Sequence, residues 1–167
     1  MTKQEPGRGE PRLDRPVAAV RDSYLAGMRA ICAEDRSSAA WLDEAAGDFR
    51  RFAAARAAPR RMWDVPVTEL WYVRDRDYIG TVVIRHELTP PLRYDGGNIG
   101  YHVVPGHRRR GHATAMLAAA CAWCRREGMS RILLTCHPDN LASRRVIEAN
   151  GGTLGSADEL LRYWIVL

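Results

Sequence analysis

Lysine is almost missing from this chain. Lys3 is the only one in 167 residues, so nearly all of the positive charge behind the net +5 is arginine. Together with the many alanines, that bias reads as coding composition, and so mild a charge does not by itself make a nucleic-acid surface. Long apolar runs are lacking too. None approaches the ~20 residues that cross a bilayer, which speaks against a membrane partner. The opening MTKQEPGRGEP has no apolar core of the secretory kind, which predicts a cytoplasmic protein. Cysteines are few: Cys32, Cys121, Cys124 and Cys136, expected as free thiols in a reducing compartment. Cys121 and Cys124 form a C-x-x-C, but no second pair stands at zinc spacing, and no metal is expected. They fall late in a predicted helix, far from the N-terminus where a dipole would favour a thiolate. Both read as small core residues. No G-x-G-x-x-G is present, and no glycine is followed by Lys-Ser/Thr, which removes the dinucleotide fingerprint and the P-loop.

With 46% hydrophobic and 27% charged residues, what remains is an ordinary globular composition of single-domain length. Pro6, Gly7, Gly9 and Pro11 predict a disordered leader over 1–11, followed by one domain over 12–167. A short strand is expected near Leu13, and Pro16 suits the first turn of a helix over 17–33. Trp41, Leu42, Ala45, Phe49 and Phe52 recur at helical spacing and predict one helix over 40–57. The period then changes. VTELWYV and YIGTVVIR, joined by RDRD, read as a hairpin; the loop ELTPPLRYDGG leads to a third strand, NIGYHVV. A helix over 111–127, the strand RILLTC, a short helix in NLASRRVIEAN and the strand LLRYWIVL complete the chain. The order predicts an α+β fold, an αβα sandwich with a mixed sheet. The segment 98–136 is a βαβ unit, so its strands 98–104 and 131–136 should lie parallel.

PGHRRRGHATAML (105–117) carries the chemistry. A helix starting near Gly111 leaves its first N–H groups without intrahelical partners, at the positive end of the dipole. That is a place for an anion, and a diphosphate suits it well. Gly111 lets a ligand approach the backbone, Ala113 keeps the first turn small, and Arg108, Arg109 and Arg110 add charge-assisted hydrogen bonds.

RRRGHA resembles the R/Q-x-x-G-x-G/A motif of the GNAT superfamily of N-acetyltransferases, and RILLTCHPDN and NLASRRVIEANGG follow in the family's order. Together these matches cover residues 98–152. The resemblance implies a centrally splayed sheet with acetyl-CoA between strands 98–104 and 131–136. It implies that backbone groups of Val103 and Val104 pair with the pantetheine arm, and that N–H groups from Arg109 through Gly111, His112 and Ala113 to Thr114 hold the pyrophosphate. Asn140 matches a residue whose side chain contacts pantetheine, and Ser143 falls near the thioester. Its implied reaction is direct acetyl transfer to a primary amine in a ternary complex. It implies a small-molecule or peptide amine as partner, no metal, and leaves room for a homodimer.

The sequence departs from the family at two points. Many relatives carry a tyrosine seven residues after the asparagine, where this chain has Ile147; Ser143 or water would then serve the sulfur. Asn98 stands where several relatives place a glutamate, leaving His137, His102, Glu87 or a water as the base. A neutral imidazole suits proton abstraction near pH 7. An oxyanion donor is expected among the N–H groups of His102–Val104. For the acceptor, the aromatics Trp63, Trp71, Tyr72, Tyr94, Tyr163 and Trp164 are numerous enough to line a pocket, and Glu34, Asp35 and Asp95 could attract a cation. Two other classes stay open: an acyl-CoA-binding module of weak activity and, ranked last, a nucleic-acid binder using the arginines.

Overall fold

In the computed structural model, which describes residues 9–167, the chain runs β1 (Arg12–Asp14), α1 (Arg21–Asp35), α2 (Ala40–Gly47), α3 (Phe49–Ala57), β2 (Arg60–Met62), β3 (Val65–Arg74), β4 (Asp77–Arg85), α4 (Pro90–Tyr94), β5 (Ile99–Val103), α5 (His112–Arg126), β6 (Arg131–Cys136), α6 (Leu141–Ala149), β7 (Thr153–Ala157) and β8 (Leu161–Val166). Most of the predicted leader, residues 1–8, lies outside the described residues. Gly9 donates its N–H to Asp75 Oδ2 at 3.3 Å.

Alternation along β3 sets the layers. Leu70 and Tyr72 face one side of the sheet, where they pack with Met116, Leu117, Ala120 and Cys124 of α5 and Ile132 and Leu134 of β6. Trp71 and Val73 face the other side, against Tyr24 and Leu25 of α1, Leu42 of α2 and Phe49 of α3. Tyr24 anchors that second layer, its ring stacked on Trp71 at 4.6 Å and tilted on Tyr78 at 4.7 Å. The C-x-x-C cysteines lie buried in the first layer, and burial pushes the Cys124 thiol up to about 12. They are core residues, as their spacing suggested.

β1, β3, β4 and β5 pair antiparallel in that order with β2 also on β3, while β6, β8 and β7 form a separate antiparallel sheet. β5 and β6, expected as parallel neighbours, share no ladder. They are joined at Asn98, which precedes β5 and is almost fully buried. Its N–H donates to Leu133 O at 2.7 Å and its Oδ1 accepts from Leu133 N at 2.8 Å, while its Nδ2 donates to Arg85 O at 3.0 Å. Asn98 is thus the weld between two sheets, and beyond it the strands part. The splay is wide enough to make two sheets of the expected one.

Four local expectations need correction. The helix 40–57 breaks at Asp48, whose φ of −138° is not helical and whose Oδ1 caps α3 by accepting from Arg51 N at 3.0 Å. Aspartate favours that position because its side chain replaces a missing backbone acceptor. The loop ELTPPLRYDGG contains α4, opened by Pro90 in the first turn, where no N–H is required. β2 emerges from APRRMWDVP, turning into β3 through Trp63 and Asp64, both at positive φ. β7 is exposed along its whole length, so TLGSA shows no apolar alternation that could reveal it.

Candidate functional site

Beside β5 lies a cleft of about 600 Å³ whose walls are β5, the turn 107–111, the first turn of α5, and α6. His102, Val103, Arg108, Arg109, Gly111, His112, Ala113, Thr114, Asn140 and Ser143 all line it, so most of the predicted residues come together.

Its end at α5 is built from backbone. Gly111 is the N-cap, at φ 78°, and no side chain caps the helix. Ala115 makes the first bond back to Gly111 O, at 3.1 Å, and the N–H groups of Arg109 through Thr114 have no protein partner among the described residues. Arg109, at φ 60°, and Gly111 both adopt the left-handed conformation and curl these amides into one concave run. A Cβ built at Gly111 meets nothing within 4 Å, so glycine answers to conformation and to ligand access, not to crowding. His107 and His112 flank the run with ring centroids 5.9 Å apart. Both have their pKa lowered, first by burial, so both are neutral at pH 7.

The three arginines do not act alike. Arg108 turns away: its Nε donates to Val103 O at 2.9 Å and its Nη1 to Glu34 Oε2 at 2.7 Å, tying the end of α1 to β5. Glu34 is thereby a structural partner, not part of an amine pocket. Arg110 is exposed and outside the cleft lining, which leaves Arg109 beside the amides.

Along β5, hydrogen-bond register decides which amides are free. Arg85 N donates to Asn98 O at 2.7 Å and Val104 N to Ile79 O at 3.0 Å, bracketing the β4–β5 ladder. In an antiparallel ladder bonded and non-bonded pairs alternate, so His102 and Gly100 bond to β4 while Ile99, Tyr101 and Val103 turn their N–H groups towards the cleft. Val104 corrects the expectation: its C=O accepts from His107 N at 2.9 Å, its N–H is spent on Ile79, and its side chain is buried in the α1 layer. Tyr101 and Val103 are the strand's available edge.

Of the four candidate catalytic residues, three meet near the splay. Ser143 Oγ lies 3.0 Å from the Tyr101 hydroxyl, across the cleft from α6 to β5. Asn140 caps α6, its Oδ1 accepting from Ser143 N at 3.1 Å, and it also lines the cleft. His137 is exposed beside Cys136 and Ser143 in a second hollow of about 270 Å³. His102 projects from the opposite face of β5 with Nε2 at 2.9 Å from the Tyr78 hydroxyl, which in turn lies 2.6 Å from Thr81 Oγ1. Burial lowers the His102 pKa below 6.5, against the raising effect of Glu69. Glu87 is exposed and lines no described hollow, so it is not brought to the site.

Two residues were missed. Tyr101 supplies a phenol where Ile147, fully buried, supplies none, and burial raises its pKa so that it stays protonated. Glu69 lies almost fully buried at the end of a third hollow of about 300 Å³, floored by Thr81, Val83, Gly100 and His102 and walled by Tyr24, Met28, Trp41 and Arg56. Its carboxylate accepts from Arg60, from Arg56 at 3.3 Å and from Trp71 Nε1 at 2.9 Å. A charge at the buried positions of V-x-V-x-E-x-W-x-V was the signal in the sequence. Of the predicted pocket aromatics, Trp71, Tyr72 and Tyr163 are core, while Trp63 and Tyr94 are exposed.

The acetyltransferase (GNAT) domain profile matches residues 18–153. A search of curated proteins returns no significant match. Among solved structures, the microcin C7 self-immunity acetyltransferase MccE in complex with acetyl-CoA and AMP is similar at 15% identity, covering 93% of this chain and 91% of its own, with a TM-score of 0.63. The GNAT domain of S. lividans PAT (17%, 95% and 92%, 0.62) and Mycobacterium smegmatis RimJ with CoA-disulfide (19%, 95% and 86%, 0.60) are similar as well. At such identities the likeness is one of fold. No helix among the described residues is long and apolar enough to cross a membrane, and no group of three His, Cys, Asp or Glu among them is placed to hold a metal.

Proposed function

Because the chain belongs to the GNAT acetyltransferase family, whose co-substrate is acetyl-CoA, we propose that it is an N-acetyltransferase acting on a primary amine held beside His102. The observation that carries this is the run of unpartnered amides from Arg109 to Thr114, open to a cleft of about 600 Å³. A diphosphate fits a curl of N–H groups at a helix N-terminus, because each amide donates to the same anion and the dipole adds to their field. In this reading Arg109 reinforces the cradle, and the N–H group of Val103 receives the pantetheine arm as an added strand edge. Asn140 and Ser143 border that arm from α6.

Acetyl-CoA supplies a thioester whose carbonyl carbon takes the amine and whose sulfur leaves as thiolate. The rest falls to side chains and amides of this chain. His102 borders both the cleft and the Glu69 hollow, so it stands between cofactor and acceptor. In the tautomer whose Nε2–H donates to Tyr78, Nδ1 is left as the base that takes the ammonium proton, and the lowered pKa favours the neutral ring at pH 7. The N–H group of Tyr101 is the donor available to a developing oxyanion, since Val103 is given to the pantetheine arm and His102 and Val104 have spent theirs. Tyr101, hydrogen-bonded to Ser143, holds the proton that returns to the sulfur. Thiol release from acetyl-CoA over a panel of primary amines tests the reading. Amine-dependent release supports it; CoA binding without release for any amine points to a binding module, and no CoA binding removes the reading altogether.

A further inference from the structure

The hollow beside His102 is not built for a bare ammonium. Its one carboxylate, Glu69, has both oxygens engaged by Arg56, Arg60 and the Trp71 indole, and its side chain is 4% exposed. Arg85, which also lines this hollow, makes no ion pair among the described residues. Its guanidinium is held in place nonetheless. Nη1 donates to Gly96 O at 2.8 Å and to Gly97 O at 3.2 Å, and the group stacks on the Trp63 ring at 4.4 Å. Nε is buried and has no partner. Nη2 hangs over Gly100, 3.3 Å from where a Cβ would stand, so the absent side chain leaves Nη2 uncovered beside the hollow. A guanidinium N–H there can donate a charge-assisted hydrogen bond to a carboxylate. The cation and the base lie on the same face of the sheet. Gly100 and His102 lie two residues apart on one face of β5, about 7 Å along the strand.

We infer that the acceptor is an amino acid, its amine at His102 and its carboxylate on Nη2 of Arg85, with an apolar side chain against Tyr24, Met28 and Trp41. This rests on the acetyl-transfer reading but asks more of the site. The cation then has a physical reason: a half-buried guanidinium with no ion-pair partner gains one when an anion arrives. Burial already lowers the Arg85 pKa, opposed only by Asp95.

A matched series tests it: phenylalanine, phenylalaninamide and phenethylamine, each as acceptor and each titrated by calorimetry into CoA-saturated protein. The expected result is a preference for phenylalanine of about tenfold or more over both neutral analogues, in kcat/KM and in affinity. Arg85→Gln should shrink that preference to about twofold or less, and Arg85→Lys should restore part of the affinity, with CoA binding unchanged in both. If the variants do not fold, the wild-type ratio decides alone. Equal handling of the three compounds, preference for a neutral one, or no binding of any overturns the amino-acid assignment while leaving acetyl transfer standing. Failure to bind CoA strikes the acetyltransferase reading instead.

Discussion

The two faces of β5 are made of different materials. On the Tyr101 face the proposed cofactor cleft presents backbone amides, first of the strand and then of the start of α5, beside side chains such as Asn140 and Ser143. On the His102 face the acceptor hollow is lined by side chains gathered from α1, α2, α3, β3 and β4. Backbone geometry follows from a strand end, a glycine and a helix start, all close in sequence. Side-chain chambers depend on contacts across the whole chain, which suits one family reaction with many possible acceptors.

Substitutions can break that comparison on either side. The largest effect belongs to the acceptor face, where His102→Gln should lower kcat/KM by about 100-fold or more as the base is lost. CoA affinity should stay unchanged; if it falls in parallel, the two faces are not separate. Next in size, Glu69→Gln leaves Arg56 and Arg60 facing a neutral group and should cost about 2 kcal/mol of stability, read from a urea midpoint. A midpoint equal to wild type would mean the buried cluster does not hold the chamber. The pH profile is subtler. Because burial lowers the His102 pKa, activity should fall only as pH drops through a value below 6.5, and the acid limb should vanish in His102→Gln. A limb centred above 6.5 would assign the base elsewhere, with His137 next in position. The smallest effect is a contrast within the arginines: Arg108→Ala should leave CoA affinity within about twofold and cost about 1 kcal/mol of stability, since its bonds go to Val103 and Glu34.

The same division decides what was legible in the sequence. Strand NIGYHVV, Gly111 and α5 are a contiguous local signal, and the N–H groups they leave without intrahelical partners have no protein partner among the described residues. Asn98 was recognised as a departure from the family, but its role as the weld between sheets depends on Leu133, 35 residues away. Val104 was expected at the cofactor from the family resemblance; only the ladder register shows its N–H spent on Ile79. Glu87 has the right chemistry at a strand end but stays in solvent, while Glu69 sat in plain view on the apolar face of β3. Tyr101 was passed over because the family places its tyrosine on α6. The phenol reaches Ser143 from the opposite wall, a contact that no spacing along the chain encodes.

The central claim is that the helix-start amides, not the arginine charge, hold the cofactor. Calorimetric titration of CoA into wild type, Gly111→Asp and Arg109→Gln tests it most directly. The account predicts saturable one-to-one binding by wild type, a loss of at least about tenfold in Gly111→Asp from a carboxylate set beside the diphosphate, and a smaller loss in Arg109→Gln. Wild-type affinity in Gly111→Asp, or a loss confined to Arg109→Gln, would contradict it.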